Sequence, residues 1–362
     1  MPPKATEARG TEKENPLLAG EDDTGAALWA LAHLATPMAI RVAATLRVAD
    51  HLAGAPRTAA ELAGAVGADT DALDRVLRHL AAKGVLRRDA EHRYALTALG
   101  RPLRADHPSG LRDMLDIEGA VGRAELAFVQ LLHCVRTGDA GHPGQYGLSF
   151  WDDLAADPAR AASFDARMGA DARLRAPHIA AAHDWGSLGH VTDVGGGDGT
   201  LLTALLTAHP ALRGTVVDLP ETAAAARKTF AAAGLADRAE AVPGSFFDPL
   251  PVRGGGYLLS CVLHDWDDEA AGAVLRRCAE AAGPGGPVFV VERTAGDDRP
   301  PTTMDLRMLV YYGGRERSVR QLAALAADSG LRPAAVRPAG PLTIVEFTAA
   351  GTTGTRTKGK LQ

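Results

Sequence analysis

Leu28, Leu31 and Leu34, then Met38, Val42, Leu46 and Leu52, recur at helical spacing and predict a long helix over 26–52, with Pro37 tolerated near a helix start. Thr58 with Glu61 three residues on forms a capping box for a helix over 59–66. Asp69 or Thr70 starts the next, whose apolar face is Leu73, Val76, Leu77 and Leu80 and whose stop is Gly84. Residues 85–88 and 93–96 then read as a hairpin, so this region is a set of helices followed by a two-stranded wing. From 99 to 183 the pattern is largely helical, broken at Pro108, at 138–147 and at Pro158. Beyond Val191 it changes to strands alternating with helices, the strands at 191–194, 215–218, 239–243, 257–262, 288–292, 332–337 and 342–348. That alternation predicts an α/β fold with a doubly wound, mostly parallel sheet, and the short link 338–341 makes the last two strands an antiparallel pair.

Composition narrows the class without naming a chemistry. The chain has 362 residues, 46% of them hydrophobic, and no apolar run approaches the roughly 20 residues of a membrane span. Residues 1–25 are charged and lack the apolar core of a signal peptide, so a disordered arm and a cytoplasmic location are expected; the Thr, Gly and Lys-rich 350–362 reads as a disordered tail. Between them the expected domains are a winged-helix module at 26–105, a helical substrate-pocket segment at 106–185 and a catalytic domain at 186–349. Cys134, Cys261 and Cys278 form neither a disulfide framework nor a zinc spacing, and no metal is expected. Arg75, Arg78, His79 and Lys83 on the candidate recognition helix suggest DNA binding. Yet 26–100 carries nine Lys/Arg against seven Asp/Glu, and the whole chain has a net charge of -5, so the module is read as packing and homodimerising rather than binding nucleic acid.

The chemistry starts at Asp193-Val194-Gly195-Gly196-Gly197-Asp198-Gly199, where a strand stops at a glycine turn and a helix follows. Glycine permits positive φ and close approach of a ligand to the backbone. Asp218 ends the second strand 19 residues beyond Gly199, placed to take ribose hydroxyls. NAD and S-adenosylmethionine (SAM) both suit that acid, but a dinucleotide fingerprint starting at Gly195 needs glycine where this chain has Thr200. After the third strand, Phe246 can lie against an adenine ring.

These stretches, with Asp218-Leu219-Pro220, Gly244-Ser245-Phe246-Phe247, Leu263-His264-Asp265-Trp266-Asp267-Asp268-Glu269 and Gly313-Gly314-Arg315-Glu316-Arg317, resemble the caffeate/acetylserotonin-type class I SAM-dependent O-methyltransferases, above all the bacterial members that tailor aromatic polyketides. The resemblance covers about 26–348. It implies a Rossmann-like SAM-methyltransferase sheet behind a winged-helix dimerisation domain, and SAM held by Gly195, Gly197, Gly199, Asp218, Leu219, Ser245, Phe246, Phe247, Ser260 and Trp266. Ser245 stands where many members have Asp at the adenine amino group, and Ser260 where some plant relatives have Lys.

Methyl transfer to a phenol needs a base, because the neutral hydroxyl is a poor nucleophile. His264 follows the fourth strand on the carboxyl rim, and its ordinary pKa of about 6.5 suits that task near neutral pH. Glu292 closes the neighbouring strand and can orient the imidazole, while Glu316 can approach from the other side. Asp267 or Asp268 caps the following helix, leaving Asp265 and Trp266 to helix start and cofactor packing. Phe150, Trp151, Phe164, Met168, Met304, Met308 and Tyr312 are candidates for an apolar acceptor pocket, and Arg307, Arg315 and Arg317 for ligands of an acceptor carboxylate. The expected activity is O-methylation of a phenolic, polyketide-derived aromatic. The alternatives are a SAM-dependent tailoring enzyme that hydroxylates an anthracycline-type substrate and, from another class, a ligand-sensing winged-helix regulator.

Overall fold

A computed structural model describes residues 23–294 and 302–350. Most of the expected arm and tail lie outside those residues. The chain divides into two compact units between Leu115 and Asp116, ten residues past the expected boundary, and the helical segment that follows belongs with the sheet.

The first unit contains the helices Asp23–Ala32, Ala35–Thr45, Val48–His51, Ala59–Val66 and Thr70–Ala82, then strands β1 (Leu86–Arg88) and β2 (Tyr94–Leu96), paired antiparallel. The expected capping box closes around Thr58 and Glu61, and Asp69 rather than Thr70 caps the next helix. The helix expected over 26–52 is three helices instead. One break precedes Thr36-Pro37, where proline has no N–H to continue a helix but fits the first turn of a new one. The other is Arg47, held in the left-handed region at φ 54°. Leu62, Leu77, Leu80 and Tyr94 fill the core. On the helix proposed above for DNA recognition, Arg75 and Arg78 are tied to Asp71 and Asp74, and His79 Nε2 bonds Thr36 Oγ1. The segment Thr24–Thr45 corrects another expectation: its 22 residues are long and apolar enough, by length and composition, to cross a membrane. Leu28, Leu31 and Leu34 on it are exposed.

In the second unit a run of short helices leads to the 24-residue helix Pro158–Ala181, which starts at Pro158 and is capped by Asp157. The sheet follows: β3 (His190–Val194), β4 (Arg213–Asp218), β5 (Ala239–Pro243), β6 (Gly256–Ser260), β7 (Pro287–Glu292), β8 (Leu331–Ala339) and β9 (Leu342–Ala349), in the order β5-β4-β3-β6-β7-β9-β8. The first five are mutually parallel, and β9 runs antiparallel to both β7 and β8. Every expected strand is present. The fourth ends two residues early, at Ser260, because Cys261 turns the chain with a left-handed φ of 56°.

Burial on both faces explains the apolar strand sequences. One face packs Val191, Val216, Leu258, Phe289 and Ile344 beneath Leu202, Leu205, Phe230 and Ile179; the other packs Val217, Leu259, Val290 and Val345 beneath Val274, Leu275, Cys278 and Leu322. The order reverses at β3, whose neighbours β4 and β6 lead away on either side, so the crevice above the carboxyl end of β3 is where a ligand of such a sheet binds. At the opposite end, Gly255 has φ 72°, and a Cβ there would lie 2.0 Å from the His190 carbonyl oxygen. Gly255→Ala is expected to destabilise the protein by about 1–3 kcal/mol, lowering the melting temperature by several degrees in calorimetry.

Candidate active site

The turn after β3 is built as its glycines require. Gly195, Gly197 and Gly199 have φ of 70°, 61° and 75°. A Cβ at Gly195 would meet Val262 at 2.9 Å and Phe246 at 3.5 Å, and one at Gly199 would strike Phe230 at 2.6 Å, whereas one at Gly197 would face open space. Asp218 Oδ2 accepts the Gly197 N–H at 2.8 Å and Oδ1 accepts the Leu219 N–H at 2.7 Å. The Leu219 side chain is exposed beside it. Ser245 Oγ accepts the Phe247 N–H at 3.2 Å, so part of its expected acceptor capacity is used within its own loop. Ser260 ends β6 in register with Val291.

Carboxylates surround this turn. Asp193 is fully buried, and neither of its side-chain oxygens has a hydrogen-bond partner among the described residues. Burial and the nearby Asp218 raise its pKa to about 7. Asp165, on the helix Pro158–Ala181, is raised to about 6 by burial and then by Asp218, Asp198 and Glu221. The same helix lies against Asp198, whose Oδ2 would stand 2.6 Å from a Cβ at Gly169. Such a site disfavours a pyrophosphate and suits a ligand carrying positive charge. Asp165 and Asp193 were absent from the expected cofactor set. The mid-helix glycine four residues after Asp165 was a legible sign of close approach.

At the rim of β6 and β7, His264 Nδ1 lies 2.6 Å from Glu292 Oε2. Glu292 Oε1 also accepts the N–H of Leu263 at 3.0 Å and of His264 at 3.4 Å. The other ring nitrogen, Nε2, lies 3.3 Å from Asp265 Oδ1, a carboxylate that the sequence reading gave to helix start. That capping falls to Asp267, whose side chain accepts the Ala270 N–H. Burial alone would lower the His264 pKa, but Glu292 and Asp265 outweigh it and raise the value to about 9, which corrects the expected neutral-range value. Glu316 is buried yet bonded elsewhere: Thr302 Oγ1 donates to its Oε2 at 2.7 Å, and Arg293 Nε stands 3.8 Å from its Oε1. Its loop still touches the site, because the Arg315 N–H donates to the His264 carbonyl at 2.9 Å.

The three arginines expected to await an acceptor carboxylate have protein partners. Arg307 Nε donates to Glu125 at 2.6 Å. Arg317 is 3% exposed and binds the carbonyls of Leu263 and Trp266 and the Asp268 carboxylate, clamping the His264 segment from below. Arg315 reaches Asp268 at 3.8 Å. Cys261, His264 and Glu292 place ligand atoms within 4.8 Å of one another, but this group suits a metal cation poorly. Burial and Glu292 push the Cys261 thiol up to about 12, leaving it protonated, and the Arg175 guanidinium donates to its sulfur.

A chain of aromatic rings runs from this rim into the helical segment. Trp266 meets Phe246 and Phe247 edge-on and stacks near Trp151, which stacks on Tyr312 at 5.3 Å. Phe150 contacts Trp151, Phe164 and Tyr312, and at 3% exposure it is a core residue behind the others. Met168 and Met304 are half-buried and Met308 is buried, all three outside that aromatic cluster.

The O-methyltransferase domain family matches residues 128–332, and the O-methyltransferase dimerisation domain matches residues 29–106. The chain is 58% identical to a 2,7-dihydroxy-5-methyl-1-naphthoate 7-O-methyltransferase of Streptomyces carzinostaticus, over 89% of this chain and 97% of that protein. It is 45% identical to aclacinomycin 10-hydroxylase of Streptomyces purpurascens, over 92% and 93%. Among solved structures, an O-methyltransferase from neocarzinostatin biosynthesis, in complex with SAM and 2-hydroxy-5-methyl naphthoic acid, superposes with a TM-score of 0.86 at 57% identity, covering 89% of this chain and 98% of that one.

The Asp193 shift has a defined sign. Its folded pKa of about 7 lies above the unfolded value of about 3.9, so ionisation destabilises the fold progressively between those pH values and fully above them. Asp193→Asn is expected to raise the melting temperature more at pH 8 than at pH 4, as calorimetry at the two pH values would register.

Proposed function

The chain belongs to the O-methyltransferase family, and from that premise we propose that it transfers a methyl group from SAM to a phenolic hydroxyl of a polyketide-derived aromatic metabolite, with His264 as the base. The observation that carries the base assignment is the 2.6 Å bond from His264 Nδ1 to Glu292, next to a glycine turn ringed by carboxylates. Gly195, Gly197, Gly199, Asp218 and Leu219 would hold the cofactor, with Phe246, Phe247 and Trp266 as an aromatic wall. The surrounding negative charge matches a sulfonium.

SAM supplies an electrophilic methyl group: the acceptor oxygen forms the new O–CH3 bond as the S–CH3 bond breaks, and the sulfonium becomes the neutral thioether of S-adenosylhomocysteine. With Nδ1–H donated to Glu292, the lone pair of His264 lies on Nε2, which takes the phenolic proton. Glu292 then stabilises the imidazolium. Asp265 lies 3.3 Å from Nε2, so the acceptor hydroxyl has to share or displace that contact to reach the base. Glu316 holds the loop before Ser318 in place, and Trp151, Phe164 and Tyr312 form the apolar side of the acceptor site, with Phe150 behind them and Met168, Met304 and Met308 nearby.

The exposed apolar side of Thr24–Thr45 is assigned to a homodimer interface, which the dimerisation-domain match supports, in a protein of the cytoplasm. The same match, with the paired arginines of the wing module, weighs against a DNA-binding regulator. Likeness to a hydroxylase keeps a second chemistry in view, and product mass separates them: gain of one methylene marks methyl transfer, gain of oxygen marks hydroxylation.

His264→Ala is expected to lower kcat by roughly 10²–10⁴-fold while calorimetry finds SAM affinity unchanged; a near-normal rate would reject the base assignment. Because the His264 pKa is raised, its basic form accumulates only as pH climbs toward about 9, and kcat/KM should rise along that limb. Asp265→Asn removes one of the charges that raise it, so the limb should move to lower pH. An unmoved limb would assign it to another group.

A further inference from the structure

Arg175 is a guanidinium with poor partners in a rich electrostatic setting. It projects from the helix Pro158–Ala181, and its Nη1 donates to Cys261 Sγ at 2.7 Å while its Nε donates to the Asp171 carbonyl at 3.1 Å. A thiol is a weak acceptor, and five donor hydrogens are available on the fork. No carboxylate of the described residues is bonded to it, whereas Arg123, Arg160, Arg167, Arg307 and Arg317 in the same unit each have one.

Its position is specific. The Cys261 sulfur that it touches lies within 4.8 Å of both His264 and Glu292. At that distance the positive charge of Arg175 opposes protonation of His264. Cys261 reaches this point because its left-handed backbone turns the chain at the end of β6. A half-buried cation beside the base, facing a neutral thiol, is complementary to an anion brought in by the ligand.

We infer that Arg175 receives a carboxylate on the aromatic acceptor, so that the enzyme selects hydroxylated aromatic acids over phenols without an acid group. This rests on the methyl-transfer reading above and adds the acid group to it. The separation from Arg175 to His264 is bounded by the two contacts through the Cys261 sulfur, short enough for one fused aromatic ring system to present its carboxylate to the first and its hydroxyl to the second. Arg307, Arg315 and Arg317, the arginines singled out by sequence, are already engaged with Glu125 and Asp268.

The test compares dihydroxynaphthoic acids with dihydroxynaphthalenes lacking the carboxyl, as acceptors for the full-length wild type, Arg175→Met and Arg175→Lys, with SAM affinity measured on each protein to confirm an intact cofactor site. Wild type should prefer the acids. Arg175→Met should lose roughly ten- to a hundredfold in kcat/KM on the acids, chiefly through KM, and little on the diols. Arg175→Lys should retain part of the preference. Equal losses on both classes, as expected of a residue that only tunes His264, would overturn the inference, as would no loss. Wild type methylating diols as well as acids would overturn it and leave methyl transfer standing. If wild type methylates no phenol, the methyl-transfer reading fails, and calorimetric titration of the acids decides the carboxylate contact: binding lost in Arg175→Met upholds it, and unchanged binding overturns it.

Discussion

The carboxylate of Glu292 is the constraint on which the placement of His264 depends. It sits at the last position of β7 with 3% exposure, and its two oxygens hold the His264 ring and the backbone N–H groups of Leu263 and His264. Such donors offset the cost of taking a carboxylate out of water. The parallel pairing of β6 and β7 brings it there, and the turn at Cys261 presents the next three residues to it. The opposite side is closed as tightly: a Cβ at Gly314 would lie 2.1 Å from the His264 carbonyl, and Arg317 binds the carbonyls on either side of that segment. The ring therefore has little freedom except at Nε2.

Charge divides the crevice into two regions. Around the glycine turn Asp165, Asp193, Asp198 and Asp218 lie close enough to raise the pKa of Asp165 and Asp193, a field that favours a cationic ligand over a phosphorylated one. Beside β6, Arg175 and Arg293 bring positive charge to bear on Cys261. Val262 joins the two regions, touching the turn near Gly195 two residues before His264. A single short segment thus couples the glycine turn to His264.

Much of this was legible in the sequence where local chemistry carries the signal. The strand alternation, the glycine turn with Asp218, the capping residues Thr58 and Asp267, and the facing of His264 with Glu292 follow from local sequence pattern and from parallel strands ending together. What escaped was tertiary pairing. Arg317 reads as a ligand for an acceptor carboxylate until Leu263, 54 residues away, supplies its carbonyl, and Arg307 until Glu125, 182 residues away, supplies a carboxylate. Asp265 looked like the start of a helix because its neighbours are capping residues; the 3₁₀ turn Leu263–Asp265 instead aims it at Nε2. The long first helix failed because a single left-handed residue such as Arg47 leaves no mark in an apolar periodicity.

The raised basicity of His264 has a consequence for the acceptor. Raised basicity, caused by Glu292 and Asp265, means that His264 in its proposed role favours acceptors that arrive already ionised: a phenolate beside an imidazolium is the same proton inventory as a neutral phenol that has just been deprotonated by a neutral ring. The free energy of that pair falls as the phenol becomes more acidic and as Glu292 and Asp265 support the positive ring. A carboxylate or carbonyl conjugated with the hydroxylated ring changes that acidity, so recognition of the acceptor and its activation draw on the same substituents. Selectivity in such a site is then expressed in the protonation equilibrium of the bound pair as much as in the fit against Trp151 and Tyr312.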